Sequence, residues 1–200
     1  VYASMEAFVN AIPRDYISVC AVFDNEEVGS RTRQGADSTF LKDTLERICD
    51  VLWERFGEKN ADILEKKLIA GSFLISADNA HAVHPNYEGE SDPVNKPLVN
   101  KGPVIKFNAE QRYTSDSLSA AVFKEVCKKA GVPFQIFTNR SDKRGGSTLG
   151  NISGTQVSIA AVDIGLAQWA MHSPYESAGA LDLELMVRAL KEFYSSRLDF

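Results

Sequence analysis

Apolar runs of strand length alternate along this chain with stretches of helical periodicity, and several of the runs end in carboxylates or lead into glycine. That alternation constrains the fold more than any other feature, because strands separated by helices build a sheet whose faces the helices cover. Residues 16–23, 72–76, 102–108, 134–138 and 156–162 are the predicted strands, rich in β-branched and aromatic side chains. A helix is predicted over residues 1–12, with Val1, Met5, Phe8, Val9 and Ile12 on one face and Pro13 as its stop. Ser38 is set to cap a long helix that carries Leu41, Leu45, Ile48, Leu52 and Phe56 at the 3.6 period and closes at Gly57. Further helices are expected over 62–70, over 117–130 with Gly131 and Pro133 behind it, and through Leu183, Met186, Val187, Leu190 and Tyr194. A short helical stretch is expected after Val162, and residues 79–101 read as a long functional loop. The fold class is therefore α/β, a mixed, largely parallel sheet sandwiched between helices.

Composition narrows the function. With 200 residues, 44% of them hydrophobic, the chain has enough apolar material for one domain with a sizeable core. A net charge of -5 leaves no basic stripe for a phosphate backbone, so nucleic acid is not expected as a partner. No apolar stretch approaches the ~20 residues that span a bilayer, so no membrane is expected either, and the chain reads as cytoplasmic. Cys20, Cys49 and Cys127 are widely spaced in apolar surroundings and read as buried thiols. The first predicted helix begins with neither a cap nor an initiator Met, which points to sequence lying upstream.

The strand exits carry the chemistry. Glu26 and Glu27 follow the first predicted strand, Asp78 the second, a glycine-rich turn spans 145–150, and His172 follows the run that ends at Val162. Ligands and catalytic groups in open α/β sheets gather at that edge. Carboxylates and imidazole suit zinc, cobalt or manganese, and adjacent glutamates can divide the work, one holding an ion and the other moving a proton. Each residue also has a plainer reading: solvated loop acids for Glu26 and Glu27, a turn cap for Asp78, loop residues for His81 and His84, a helix-end histidine for His172. No Gly-Lys-Ser/Thr follows the glycine turn, which excludes a P-loop.

The segments Phe23-Asp24-Asn25-Glu26-Glu27-Val28-Gly29-Ser30, Asp78-Asn79-Ala80-His81-Ala82-Val83-His84-Pro85-Asn86-Tyr87, Lys101-Gly102-Pro103-Val104-Ile105-Lys106 and Met171-His172-Ser173 together resemble the M18 family of metallo-aminopeptidases, in that order. The Glu-Glu-Val-Gly element is shared with M42 peptidases, whereas the His-x-x-His-Pro-Asn-Tyr element points to M18. The resemblance implies a zinc-exopeptidase-like fold and two zinc ions bridged by an aspartate and a water, with cobalt or manganese as alternative metals. Carried over by position, Glu27 and His172 would hold one ion and Asp78 the other. Glu26 would be the general base in hydrolysis of the N-terminal residue of peptides. His84 would reach an active site in the assembled homo-oligomer, a dodecamer by resemblance, and Lys106 would lie near the substrate side chain.

The family's further histidine and bridging aspartate have no counterpart before Asp24, since Glu6 and Asp15 lack the matching context. Residues 1–200 are therefore expected to be the C-terminal portion of a single catalytic domain, without its upstream part and the inserted dimerisation domain. Two rival readings stand beside this one: an inactive structural or oligomer-forming module, and an M42-like peptidase.

Overall fold

The computed structural model describes residues 1–12, 14–56 and 61–197; Pro13 and Gly57, read above as helix stops, lie outside the described residues. Helices α1 (Tyr2–Val9), α2 (Phe40–Phe56) and α3 (Ala61–Ala70) come first. Then follow β1 (Phe73–Ala77), β2 (Ala80–His81), β3 (Val104–Phe107), α4 (Ser117–Ala130), β4 (Gln135–Thr138) and α5 (Leu149–Ser153). Strands β5 (Ala160–Gly165), β6 (Ala167–Trp169) and β7 (Ser177–Ala178) precede the last helix, α6 (Ala180–Ser195). The main sheet has the order β1-β5-β3-β4, and β2-β6-β7 form a smaller one. The β1–β5, β3–β4 and β2–β6 pairs are parallel, and β3–β5 and β6–β7 antiparallel. This is the mixed α/β architecture expected from the alternation.

Strand alternation decides what faces the site. Ile105, Val162 and Ile164 pack under α1, α4 and α6 with Phe123, Val126, Cys127, Met186 and Leu190, all buried. Their neighbours Lys106, Asp163 and Ser76 are buried as well, and they belong to the opposite face of the same strands. Both ends of α4 are closed by local signals. Asp116 caps α4, accepting from Ser119 N, while the Ser119 hydroxyl accepts from Asp116 N. Gly131 closes α4 in the left-handed conformation, as expected for a C-terminal glycine. At the start of α2 the Ser38 hydroxyl accepts from the Phe40 amide at 3.3 Å, with Leu41 and Cys49 buried further along the helix.

Several expectations are corrected. Residues 16–23 form no strand: among the described residues they pair with no other, and Ile17 stays 51% exposed and Val22 45%. A β-branched run becomes a strand only where a neighbouring ladder takes up its backbone groups. Here the segment is tied instead to the end of α6, through Tyr16 Oη donating to Tyr194 O at 2.7 Å and Tyr194 Oη donating to Val19 O at 3.4 Å. The strand expected over 156–162 starts at Ala160 and continues to Gly165, because α5 and the turn behind it, with Gln156 N and Val157 N both bonded to Ser153 O, occupy the residues before it. No helix lies between Val162 and His172; the chain runs straight on into β6. The glycine-rich turn ends in α5, and the 79–101 loop contains β2 and a 3-10 turn at Glu88–Glu90. Among the thiols, Cys49 and Cys127 are buried, the latter with its pKa pushed up to about 12 by desolvation, while Cys20 is half-buried with Sγ 3.7 Å from Met5 Sδ.

Candidate active site

A cleft of about 780 Å³ opens beside the main sheet. Glu26, Glu27, Asp78, Lys106 and His172 all line it, although they come from separate stretches of the chain. His81, Tyr113 and residues 146–148 of the glycine-rich turn complete the walls.

The two glutamates sit in a tight turn in which Gly29 N donates to Glu26 O at 2.9 Å and Ser30 N to Asn25 O at 2.9 Å. Asn25 and Ser30, the residues at its two ends, have φ of 58° and 60°. Left-handed backbone is rare outside glycine, so the turn is held by its surroundings, including Asn25 Nδ2 on Thr32 Oγ1 at 3.0 Å and Asp24 N on Gln34 O at 3.0 Å. His172 is also left-handed, with φ 68°, and its amide donates to Glu176 Oε1. That strained backbone turns the imidazole towards the glutamate turn, where Nε2 lies 2.8 Å from Glu27 Oε2.

Asp78 leaves β1 at the opposite wall. Its amide donates to Ile164 O at 3.0 Å, and Gly165 makes this approach possible, because a Cβ there would sit 2.0 Å from Asp78 O. Lys106, 2% exposed, reaches up from β3 and donates to Asp78 O and Asn79 O, both at 3.1 Å, with Nζ 3.5 Å from Asp78 Oδ2 and 5.2 Å from the centre of the Tyr113 ring. Its pKa is lowered because desolvation outweighs the attraction of Asp78 and Asp163. The lysine is thus a fixed part of the cleft floor.

Glu26 is the more enclosed of the two glutamates. Its pKa is raised, first by desolvation and then by the negative charges of Asp78 and Glu27, with Lys106 and His172 pulling the other way. A carboxyl shifted in that direction is a better proton acceptor than a solvated one once ionised. The His81 pKa is lowered: the cleft walls desolvate the ring even though its edge is open to solvent, and His172 and Lys106 add to the effect.

His84 lies off the cleft, against Tyr87 and Trp169 at ring separations of 5.3 and 6.4 Å, and its Nδ1 accepts from Asn86 N. No sequence motif marks Tyr113, and His81, three residues after Asp78 in β2, lines the cleft without a role assigned from sequence. Among the described residues, no three His, Cys, Asp or Glu side chains come together closely enough to hold a metal ion. The donors supply a carboxylate and imidazole facing each other and one carboxylate across the cleft.

The profile of the M18 family, described as aminopeptidase I zinc metalloprotease, matches residues 1–194. A probable M18 family aminopeptidase 2 of Clostridium acetobutylicum is 51% identical over 195 residues, covering 98% of this chain and 44% of the relative. Among solved structures, mApe1 of Chaetomium thermophilum superposes with a TM-score of 0.83 at 29% identity, covering 97% of this chain and 41% of that one. The mApe1 dodecamer of S. cerevisiae gives 0.72 at 28% identity, covering 86% and 36%. The chain spans about 44% of the length of the Clostridium relative. Neither rival reading, the M42-like peptidase or the inactive module, gains support from these matches. With the family profile running along nearly the whole chain and the same fold in the solved relatives, the chain belongs to the M18 family of aminopeptidase I zinc metalloproteases.

Proposed function

We propose that this chain contributes the general base and several zinc ligands to an aminopeptidase that removes single N-terminal residues from peptides. The observation that carries the reading is the convergence of Glu26, Glu27, Asp78 and His172 on one cleft from separate parts of the chain. The donors fit zinc in kind, being carboxylate and imidazole with every cysteine elsewhere, and cobalt or manganese would find the same donors. They do not fit it in number, since no three converge among the described residues. Glu27 and His172 would hold one ion and Asp78 a second. The remaining ligands would come from polypeptide that the relatives carry outside the matched stretch, in line with residues 1–200 being a C-terminal portion of the catalytic domain. Zinc, when bound, supplies a Lewis acid that polarises the peptide carbonyl and acidifies water.

The chain's own residues do the rest. Glu26 takes a proton from the attacking water as its oxygen bonds to the carbonyl carbon, and delivers that proton to the departing amine nitrogen as the peptide C–N bond breaks. Lys106 would lie near the substrate's N-terminal side chain, held in the cleft floor by the carbonyls of Asp78 and Asn79. His84, off the cleft of its own protomer, would serve a neighbouring protomer in a homo-oligomer like the S. cerevisiae dodecamer. The place of work is read as the cytoplasm; among the described residues no helix is long and apolar enough to cross a membrane.

The test is Glu26→Gln, with metal content and hydrolysis of aspartyl and leucyl peptides measured side by side. Turnover should fall by about 10²- to 10⁴-fold while metal is retained. Unchanged turnover would overturn the role of Glu26, and a full-length wild-type protein without peptidase activity would overturn the function.

A further inference from the structure

Asp163 has no part in the chemistry described so far, and its surroundings are unusual. It sits in β5 on the cleft face of the sheet, fully buried at 0% exposure. One carboxylate oxygen, Oδ2, accepts from Thr114 N at 2.6 Å, a short charge-assisted bond. The other, Oδ1, has no hydrogen-bond partner. A buried carboxylate oxygen left unpaired works against stability, and such a group needs a reason to be there.

The reason lies in what Thr114 carries. Asp163 and the 113–115 loop are joined again on the backbone side, where Asp163 N donates to Ser115 Oγ at 2.9 Å. Immediately before Thr114 comes Tyr113, 7% exposed, whose ring lies 5.2 Å from the Lys106 ammonium and 6.2 Å from the Phe137 ring. Lys106 in turn holds the backbone carbonyls of Asp78 and Asn79. The glycine-rich turn is fastened at the same place. Gly150 N donates to Ser76 Oγ at 2.9 Å, and a Cβ on Gly150 would stand 2.7 Å from Ser76 Cβ, 2.8 Å from Thr114 Cγ2 and 3.0 Å from Asp163 Oδ1. Ser76 faces Asp163 in the β1–β5 register. The unpaired oxygen is therefore packed against the start of α5, with no room for a side chain between them.

We propose that Asp163 is a positioning residue: its carboxylate clamps the Thr114 amide and thereby fixes the Tyr113 ring and the glycine-rich turn as walls of the cleft. A glutamate is too long for the space, and an apolar residue of similar size offers Thr114 N nothing. Asparagine keeps an oxygen for Thr114 N and places its NH₂ near the Gly150 side, so the clamp should survive that exchange. The consequence for turnover rests on the aminopeptidase reading; the consequence for the Thr114 amide does not.

The experiment compares Asp163→Asn, Asp163→Leu and Gly150→Ala in the full-length protein, following amide hydrogen exchange at Thr114 and Val162 and peptide hydrolysis. Asp163→Leu should speed exchange at Thr114 by about tenfold or more relative to Val162, and raise KM more than it lowers kcat. Asp163→Asn should leave Thr114 protected and kcat/KM within about threefold of wild type, a rescue that a purely electrostatic role would not give. If Asp163→Leu does not fold, Gly150→Ala crowds Ser76, Thr114 and Asp163 from the other side and should loosen Thr114 more than Val162. Unchanged Thr114 exchange in the Leu or Ala variant overturns the proposal, as does an Asn variant as impaired as the Leu one. Wild-type protein that cleaves no peptide overturns the aminopeptidase reading and leaves the exchange data to decide the clamp.

Discussion

The two walls of the cleft are built to different standards. Lys106 and Asp163 stand on strands whose other faces are sealed under α4 and α6, and Asp78 directly follows β1 with its amide bonded to Ile164 O of β5, so each polar group is placed by the sheet. Glu26 and Glu27 hang on a turn between an unpaired extended segment and α2, held by hydrogen bonds within the turn and by residues in left-handed backbone. Side chains on paired strands are fixed by packing and cost little to keep in place, whereas those on a strained turn depend on every local bond. One wall is set by the sheet and the other by local hydrogen bonds, and substitutions should separate the two by size of effect.

The largest effect is expected in the sealed layer. Phe123 is fully buried between α4 and the sheet, and Phe123→Ala should cost about 3–5 kcal/mol, read as a fall in the urea midpoint. A loss below about 1 kcal/mol would mean that the layer collapses around the cavity and that the contrast between the walls is false. Next comes Lys106→Met, which keeps the volume and removes the ammonium from Asp78 O and Asn79 O. Two part-buried backbone acceptors lose their donor, so a loss of about 1–2 kcal/mol is expected, moderated because both residues are partly open to water. If thermal unfolding shows no change, Asp78 is placed by its strand alone.

What could be read from the sequence follows the same division. Helices 117–130 and 180–195 and strands β1, β3 and β4 announced themselves, because periodicity and closing residues such as Gly131 are local signals that agree with the packing. Glu26, Glu27, Asp78, Lys106 and His172 were recognisable by motif, and all reach one cleft. Residues 16–23 misled because strand formation is a property of a pair, and Tyr16, Ile17 and Val19 carry the preference without the partner. Tyr113, Thr114 and Asp163 were invisible for a related reason: a buried aspartate 49 residues away from the amide it holds leaves no pattern in a linear reading.

A smaller effect sharpens the account of the strand layer. Asp116→Ala removes the cap of α4 and should cost about 1 kcal/mol at neutral pH. The backbone bond from Ser119 and lesser interactions depress the Asp116 pKa below its ordinary value. A carboxylate depressed on folding contributes stability that is present above its unfolded value, near 3.8, and is lost as pH falls through the lower folded value. Wild type and variant should therefore converge in stability as the pH drops below about 4, measured by urea unfolding at a series of pH values. A difference that persists undiminished in acid would show that the cap acts through packing rather than through the charge.

The smallest effect tests the other wall. Ile17 is 51% exposed in the extended segment that precedes the glutamate turn, and it buries little against α6. Ile17→Thr keeps the β-branch and replaces the ethyl arm by a hydroxyl, which solvent accommodates at an exposed site, so stability should change by no more than about 0.5 kcal/mol. A destabilisation above about 2 kcal/mol would place Ile17 in a packed interior, and residues 16–23 would then have to be a paired strand in solution. The glutamate turn would in that case stand on a ladder like Asp78, and the difference between the two walls would disappear.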